Sequence, residues 1–205
     1  MKIFGEKQHF AIEYGFESDE FEKGEPDSTY GSIRLWIKGK DICSYRADGE
    51  DYQQEGNLYH LIEWFCEKME YILGYDPFPL PVEGENTLEL LENADKRYDT
   101  IDTLEEELWF EAKSRWIFNH CWFPVRDGIL PCVHFRRLEN AVEISWDNLF
   151  WEEYDIAFHS GKGVYLAALQ DFTEIYRKFL HSAVSELEQR LGECKSSIKR
   201  VRDWL

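Results

Sequence analysis

The chain has 205 residues, of which 43% are hydrophobic and 16% are aromatic, and its formal net charge is −18. This content of apolar residues excludes a disordered chain and predicts a packed core. The negative charge disfavours DNA or RNA as a direct partner, because attraction to phosphates dominates such binding. It favours a basic protein partner, although acidic charge also serves solubility alone.

The remaining composition predicts a cytoplasmic protein without membrane contact. No apolar run approaches the roughly 18 residues that a membrane span requires. The N-terminal sequence MKIFGEKQHF carries charges where a signal peptide would be apolar. The five cysteines form no CxxC pair. We therefore expect reduced core cysteines, no metal site and no cofactor, while a reactive thiol stays an alternative.

The N-terminal part predicts a strand meander. Residues 8–16 alternate apolar and polar side chains, as do residues 30–37. Gly39-Lys40 supplies a turn, and the chain then returns through DICSYR as a third strand. Between the first two strands runs an acidic stretch that contains Glu17, Asp19, Glu20 and Glu22.

Two helices are predicted in the middle of the chain. Apolar residues recur at helical spacing from Asn57 to Leu73, and Gly74 marks the end. The stretch 76–107 is acidic and partly loop. A second helix starts near Thr103, whose hydroxyl caps the amide of Glu106, and its residues Leu104, Leu108, Ala112 and Trp116 share one face.

The first turn of that second helix carries three consecutive acids, Glu105, Glu106 and Glu107. Anionic side chains at a helix N-terminus are stabilised by the helix dipole, which explains them structurally. The alternative is an acidic surface for a partner, and both interpretations stay open.

Residues 131–147 alternate twice and predict a β-hairpin with Glu139-Asn140 at its turn, where asparagine tolerates positive φ. Arg136 then lies opposite Glu143, and His134 opposite Ser145, on a polar face that also includes Asp147. Phe135 and Ile144 meet on the apolar face. The polar face is the best candidate for a small-molecule or catalytic site, although surface ion pairs on a sheet need no such purpose.

The C-terminal part predicts a strand–turn–strand over residues 154–169, with Gly161 and Gly163 at the turn, and then a long helix. Its apolar stripe runs from Phe172 to Leu191 and is expected to lie against the sheet. The tryptophans are explained most simply as core residues, and exposed ones would be binding anchors.

The chain has no HExxH, P-loop, GxSxG or GxGxxG motif, so no catalytic residue is predicted. His120 and Cys121 are adjacent and would point apart on a helix, which excludes a nucleophile–base pair by adjacency alone.

Two stretches resemble known families. IFGEKQHFAIEYGF and YGSIRLWIKGKDIC resemble the opening of small immunity proteins from bacterial polymorphic-toxin systems. Residues 115–148, from RWIFNHC to EISWDN, resemble a segment found ahead of ImmA/IrrE-type zinc peptidase domains. The HExxH of that peptidase is missing here, so peptidase activity is not implied. Both resemblances imply a protein of a bacterial conflict system.

The sequence thus predicts a single α+β domain over residues 1–205, in which one antiparallel sheet is packed by about three helices. A division into 1–75 and 100–205 is the alternative. The predicted function is non-enzymatic: an acidic immunity protein that binds a basic toxin or effector. Its expected binding residues are Glu17, Asp19, Glu20, Glu22, Glu105, Glu106 and Glu107. The alternatives are a phage-defence enzyme or ligand sensor that uses the polar sheet face, and a DNA-mimic inhibitor.

Overall fold

A computed structural model describes residues 1–17, 29–98, 102–122 and 130–191 of the chain. The predicted α+β class is confirmed, since the described residues form antiparallel strands and α-helices joined by turns and loops. No described helix has the length and apolarity that crossing a membrane would require.

The strands form three sheets and not the single sheet that the sequence predicts. Twelve strands are described: β1 (Lys2–Gly5), β2 (Phe10–Phe16), β3 (Tyr30–Ile37), β4 (Lys40–Asp41), β5 (Tyr45–Ala47), β6 (Glu50–Tyr52), β7 (Glu55–Asn57), β8 (Cys121–Trp122), β9 (Val133–Arg137), β10 (Ala141–Asp147), β11 (Ala157–Phe158) and β12 (Lys162–Ala168). The first sheet has the order β1-β2-β3-β4 with β7 also paired to β3, the second β12-β10-β9-β8, and the third β11-β5-β6.

The N-terminal meander is confirmed for its first two predicted strands, but its turn is one residue earlier than predicted. The predicted third strand, DICSYR, is divided: Lys40–Asp41 (β4) pairs with β3, whereas Tyr45–Ala47 (β5) belongs to the third sheet. Ile37 pairs with Lys40, so Lys38 and Gly39 form the turn, and both have positive φ, 50° and 80°. This conformation suits a two-residue hairpin, because such turns match the twist of the flanking strands. The prediction placed glycine first in the turn, whereas it occupies the second position.

The central hairpin has the predicted register. Arg136 pairs with Glu143, and Phe135 pairs with Ile144. The Leu138 N–H donates to the Ala141 carbonyl at 2.8 Å, which leaves 139 and 140 as the turn. Neither turn residue has positive φ, so the tolerance of asparagine for this conformation is not needed here.

The predicted strand–turn–strand over residues 154–169 is wrong in its pairing. β11 pairs with β5 in the third sheet, while β12 pairs with β10 in the second. A 3-10 helix, Leu149–Tyr154, stands between β10 and β11. Alternation within each strand predicts the strands but not their partners.

Four α-helices are described: α1 (Leu58–Leu73), α2 (Thr87–Arg97), α3 (Leu104–His120) and α4 (Leu169–Leu191). Asn57 caps α1, and Gly74 ends it, as predicted. Thr103 and Glu106 form a reciprocal capping box on α3. α2 was not predicted, although Asn86 accepts a hydrogen bond from the Glu89 amide as an N-cap.

The core lies between the first two sheets, and α4 is at its centre. α4 contacts α1, two strands of the first sheet (β1 and β2) and two of the second (β10 and β12). Its stripe from Phe172 to Leu191 is buried as predicted. The Tyr176 hydroxyl donates to the Phe65 carbonyl at 2.6 Å, which fixes α4 on α1. Both sheets therefore share one continuous set of buried side chains.

Candidate functional site

The predicted acidic turn lies at the start of α3, and its three acids differ in role. The Glu106 carboxylate accepts the Thr103 N–H at 2.8 Å, so it completes the helix cap. Glu105 and Glu107 are exposed. The structural interpretation thus accounts for Glu106, and the other two carboxylates face solvent.

Large apolar side chains are exposed along α3. Leu104, Leu108 and Phe118 are 72%, 56% and 62% exposed. Helical geometry places them in one row with the exposed Glu111 and Arg115. We call this row of five residues the α3 outer face. By the same geometry Glu105 and Glu107 flank it on opposite sides.

The predicted apolar row on α3 is only partly a core face. Trp116 is buried, whereas Leu104 and Leu108, which share that row by spacing, are exposed. The described part of α3 contacts the rest of the chain mainly through its C-terminal half, where Trp116, Asn119 and His120 are buried. In the N-terminal half Trp109 packs against Tyr98, while Leu104 and Leu108 are exposed.

The other acidic stretch is described only at its beginning. Glu17 is exposed, and its carbonyl accepts the Arg190 guanidinium at 3.1 Å. Asp19, Glu20 and Glu22 lie outside the described residues. Their predicted role stays a prediction.

A recess of about 450 Å³ between the β1–β2 hairpin, β12 and α4 was not predicted from the sequence. Glu6, Asp171 and Glu174 lie at this recess, and Phe10 and Phe172 contribute apolar surface. Lys178 pairs with Glu174 at 2.5 Å. The sequence does not predict this recess, because its residues are far apart along the chain and only the packing of α4 on the first sheet brings them together.

The predicted polar face of the hairpin exists, but it is not a surface. The Arg136 guanidinium donates to Glu143 at 2.6 Å, and the Thr87 N–H donates to the other Glu143 oxygen at 2.7 Å. Glu143 is 1% exposed because the first turn of α2 covers it. The interpretation of this pair as a surface ion pair is therefore wrong. A helix N-terminus stabilises the buried carboxylate.

Three other predicted residues of this face have different surroundings. His134 and Ser145 pair across the strands and are both buried. His134 Nδ1 and Ser145 Oγ have no hydrogen-bond partner among the described residues. Asp147 is the last residue of β10 and is partly exposed, and it pairs with Lys162 at 2.7 Å.

Two cysteines extend this buried polar face. Cys121 pairs with His134 across β8 and β9, and Cys132 precedes β9 on the same side as His134. The two Sγ atoms are 3.7 Å apart. Both sulfurs and a His134 ring nitrogen lie within 4.8 Å of one another. The expectation of unremarkable core cysteines thus misses a cluster that could hold a metal ion.

Burial dominates the protonation of His134 and Cys121, whereas the hydrogen bond with Cys121 lowers the pKa of the Cys132 thiol. Burial lowers the pKa of His134 to about 4 and raises the pKa of the Cys121 thiol well above its usual range. Burial likewise lowers the pKa of His120, whose Nδ1 lies 3.0 Å from the Trp116 carbonyl. At neutral pH the face therefore carries neutral imidazoles.

The lowered pKa of His134 predicts a loss of stability in mild acid. Between pH 6.5 and 4 the unfolded chain binds a proton at His134, and the folded chain does not. The contribution of this residue to the free energy of unfolding should fall by about 3 kcal/mol as the pH is lowered from 6.5 to 4, with no further loss below pH 4. Urea unfolding at a series of pH values, with a chelator present, measures this. A His134→Gln variant should show a smaller decrease, and an equal decrease would contradict the assignment.

The chain matches no protein-family model, no curated protein and no solved structure. The resemblances to immunity proteins and to the segment ahead of ImmA/IrrE-type peptidases stay predictions.

Proposed function

We propose that this chain is a non-enzymatic acidic binding protein that docks a basic protein on the α3 outer face. The observation that carries the proposal is the exposure of Leu104, Leu108 and Phe118 on a helix face where three exposed carboxylates outnumber one base, Arg115. In keeping with the resemblance, the proposed role is that of a cytoplasmic immunity protein that neutralises a toxin or effector of a bacterial conflict system.

The apolar residues of this face would stabilise a complex, because a partner would bury them. Exposed large apolar side chains that cluster on one surface mark interaction sites more often than scattered ones do. In an interface they form the desolvated centre, and charged residues form the rim. The described tryptophans are buried or half-buried, so leucine and phenylalanine take the anchoring role expected of exposed tryptophan.

The carboxylates supply orientation and speed of association. Glu105 and Glu107 flank the α3 outer face and Glu111 lies within it, against one base, Arg115, in a chain of net charge −18. Such a field attracts a basic surface and repels an acidic one. Exposed charges are screened over about 8 Å at physiological ionic strength, so this contribution depends on salt.

The test begins with co-purification from the native host to identify the partner, followed by binding kinetics with the purified pair. Glu105→Gln, Glu107→Gln and Glu111→Gln together should slow association and weaken its dependence on salt. Leu104→Ser with Leu108→Ser should mainly accelerate dissociation, since buried anchors govern that rate.

Matched controls use exposed residues elsewhere. Glu50→Gln on β6 and Leu166→Ser on β12 should leave both rates unchanged. Rates that respond equally to control and test variants would contradict the proposal, as would turnover of a substrate by the isolated chain. Competition between this chain and duplex DNA for the partner would favour DNA mimicry instead.

A further inference from the structure

The cluster of Cys121, Cys132 and His134 is independent of the α3 outer face. It is assembled by pairing of β8 with β9, which places Cys121 directly opposite His134. Cys132 lies two residues before His134, so its side chain points to the same side of the strand. Two soft sulfur donors and one imidazole thus converge from two neighbouring strands.

The spacing of the donors fits a tetrahedral ion. Two thiolates bound to zinc at about 2.3 Å with a tetrahedral angle are about 3.8 Å apart. The observed separation of the two Sγ atoms is 3.7 Å. A disulfide would require the sulfurs to approach to about 2.05 Å. The two sulfurs are therefore already spaced as two ligands of one ion would be, and no rearrangement is needed.

The imidazole is available as a ligand. His134 is 4% exposed, and its Nδ1 has no hydrogen-bond partner among the described residues. A buried polar atom without a partner costs free energy unless something satisfies it. The imidazole is neutral at physiological pH because of its burial. A neutral imidazole is the form that binds a metal.

The charges also balance. The Cys121 and Cys132 thiols would each release one proton on metal binding, and their two negative charges would neutralise a divalent cation. The site then places no net charge within the interior. Donor softness selects zinc over calcium or magnesium, which prefer oxygen ligands.

We propose that Cys121, Cys132 and His134 bind one zinc ion, with the fourth position left to water or a further ligand. The ion would link β8 to β9 at the end of the second sheet. This site does not depend on the proposed binding function, and either could fail while the other holds.

The test is metal analysis of the full chain, purified without chelator and without a histidine tag. We expect one zinc per chain by elemental mass spectrometry. After removal of metal under reducing conditions, added Co²⁺ should give the intense visible absorption of a tetrahedral site and a thiolate-to-cobalt charge-transfer band. Zinc should abolish both signals.

Matched variants locate the ligands. Cys132→Ala and His134→Gln should each weaken Co²⁺ binding by more than about 100-fold, beyond the effect typical of outer-shell changes. Cys66→Ala removes a buried thiol on α1 and should bind as the wild type does. Circular dichroism should show that each variant folds.

Two results would overturn the proposal. One is a wild-type chain that holds no zinc and gives only the weak spectrum of octahedral cobalt. The other is a disulfide between Cys121 and Cys132, found by mass spectrometry in chain purified from a reducing cytosol.

Discussion

Replacement of Glu143 by alanine is expected to lower the free energy of unfolding by about 3–5 kcal/mol, the cost of leaving a buried charge without its partner. Glu143 is 1% and the Arg136 side chain 12% exposed, so water replaces little of the lost interaction. The variant also removes the acceptor of the Thr87 N–H at the start of α2. Equilibrium unfolding in urea measures the change.

Two controls make the Glu143 experiment specific. Glu92→Ala removes an exposed carboxylate paired with Lys96 at 2.6 Å and should cost less than about 1 kcal/mol. Replacement of both Arg136 and Glu143 by leucine should cost less than Glu143→Ala alone, since no charge is then left unpaired. A loss below about 1 kcal/mol in Glu143→Ala would show that Arg136 finds other partners.

Phe179→Ala is expected to destabilise the fold by about 3–5 kcal/mol, the usual cost of emptying a core aromatic site. Phe179 is fully buried on α4, and its ring lies 5.5 Å from Tyr14 and 5.7 Å from Phe65 between ring centres. It thus connects the first sheet, α1 and α4. Thermal and urea unfolding of the variant measure the loss.

The control for Phe179 is Leu108→Ala on the α3 outer face. Its side chain is 56% exposed, and its replacement should change stability by less than about 0.5 kcal/mol. If Phe179→Ala cost as little, α4 would be a peripheral helix, contrary to its central position in the core.

Local patterns predicted α1, α3, α4 and the hairpin register. In α1, α4 and the hairpin the apolar spacing and the final packing agree. In α3 the cap at Thr103 and Glu106 is as predicted, but only part of the apolar row is packed. α2 was missed because its buried residues, Thr87, Leu90 and Ala94, are few and include a polar one. The many acidic residues around α2 give this stretch the composition of a loop.

The candidate sites were less predictable because tertiary contacts create them. Alternation placed Glu143 and His134 on a polar face but does not predict what buries them. α2 covers Glu143, and the strand of His134 contacts α1, α3 and β8. Eleven positions separate Cys121 from Cys132, and only strand pairing brings their sulfurs together. The exposure of Leu104 and Leu108 depends on where α3 finds support, since their spacing alone also fits a core row.

The central position of α4 has a consequence for the chain as it leaves the ribosome. The β1–β2 hairpin faces α4, and the Tyr14 hydroxyl lies 3.0 Å from Ser182, 168 positions along the chain. At about 5–20 residues per second, roughly 8–30 s pass between synthesis of the first strands and synthesis of α4. During that interval the apolar side of β2 has no native cover. We therefore expect nascent chains of this protein to expose that apolar side until α4 emerges.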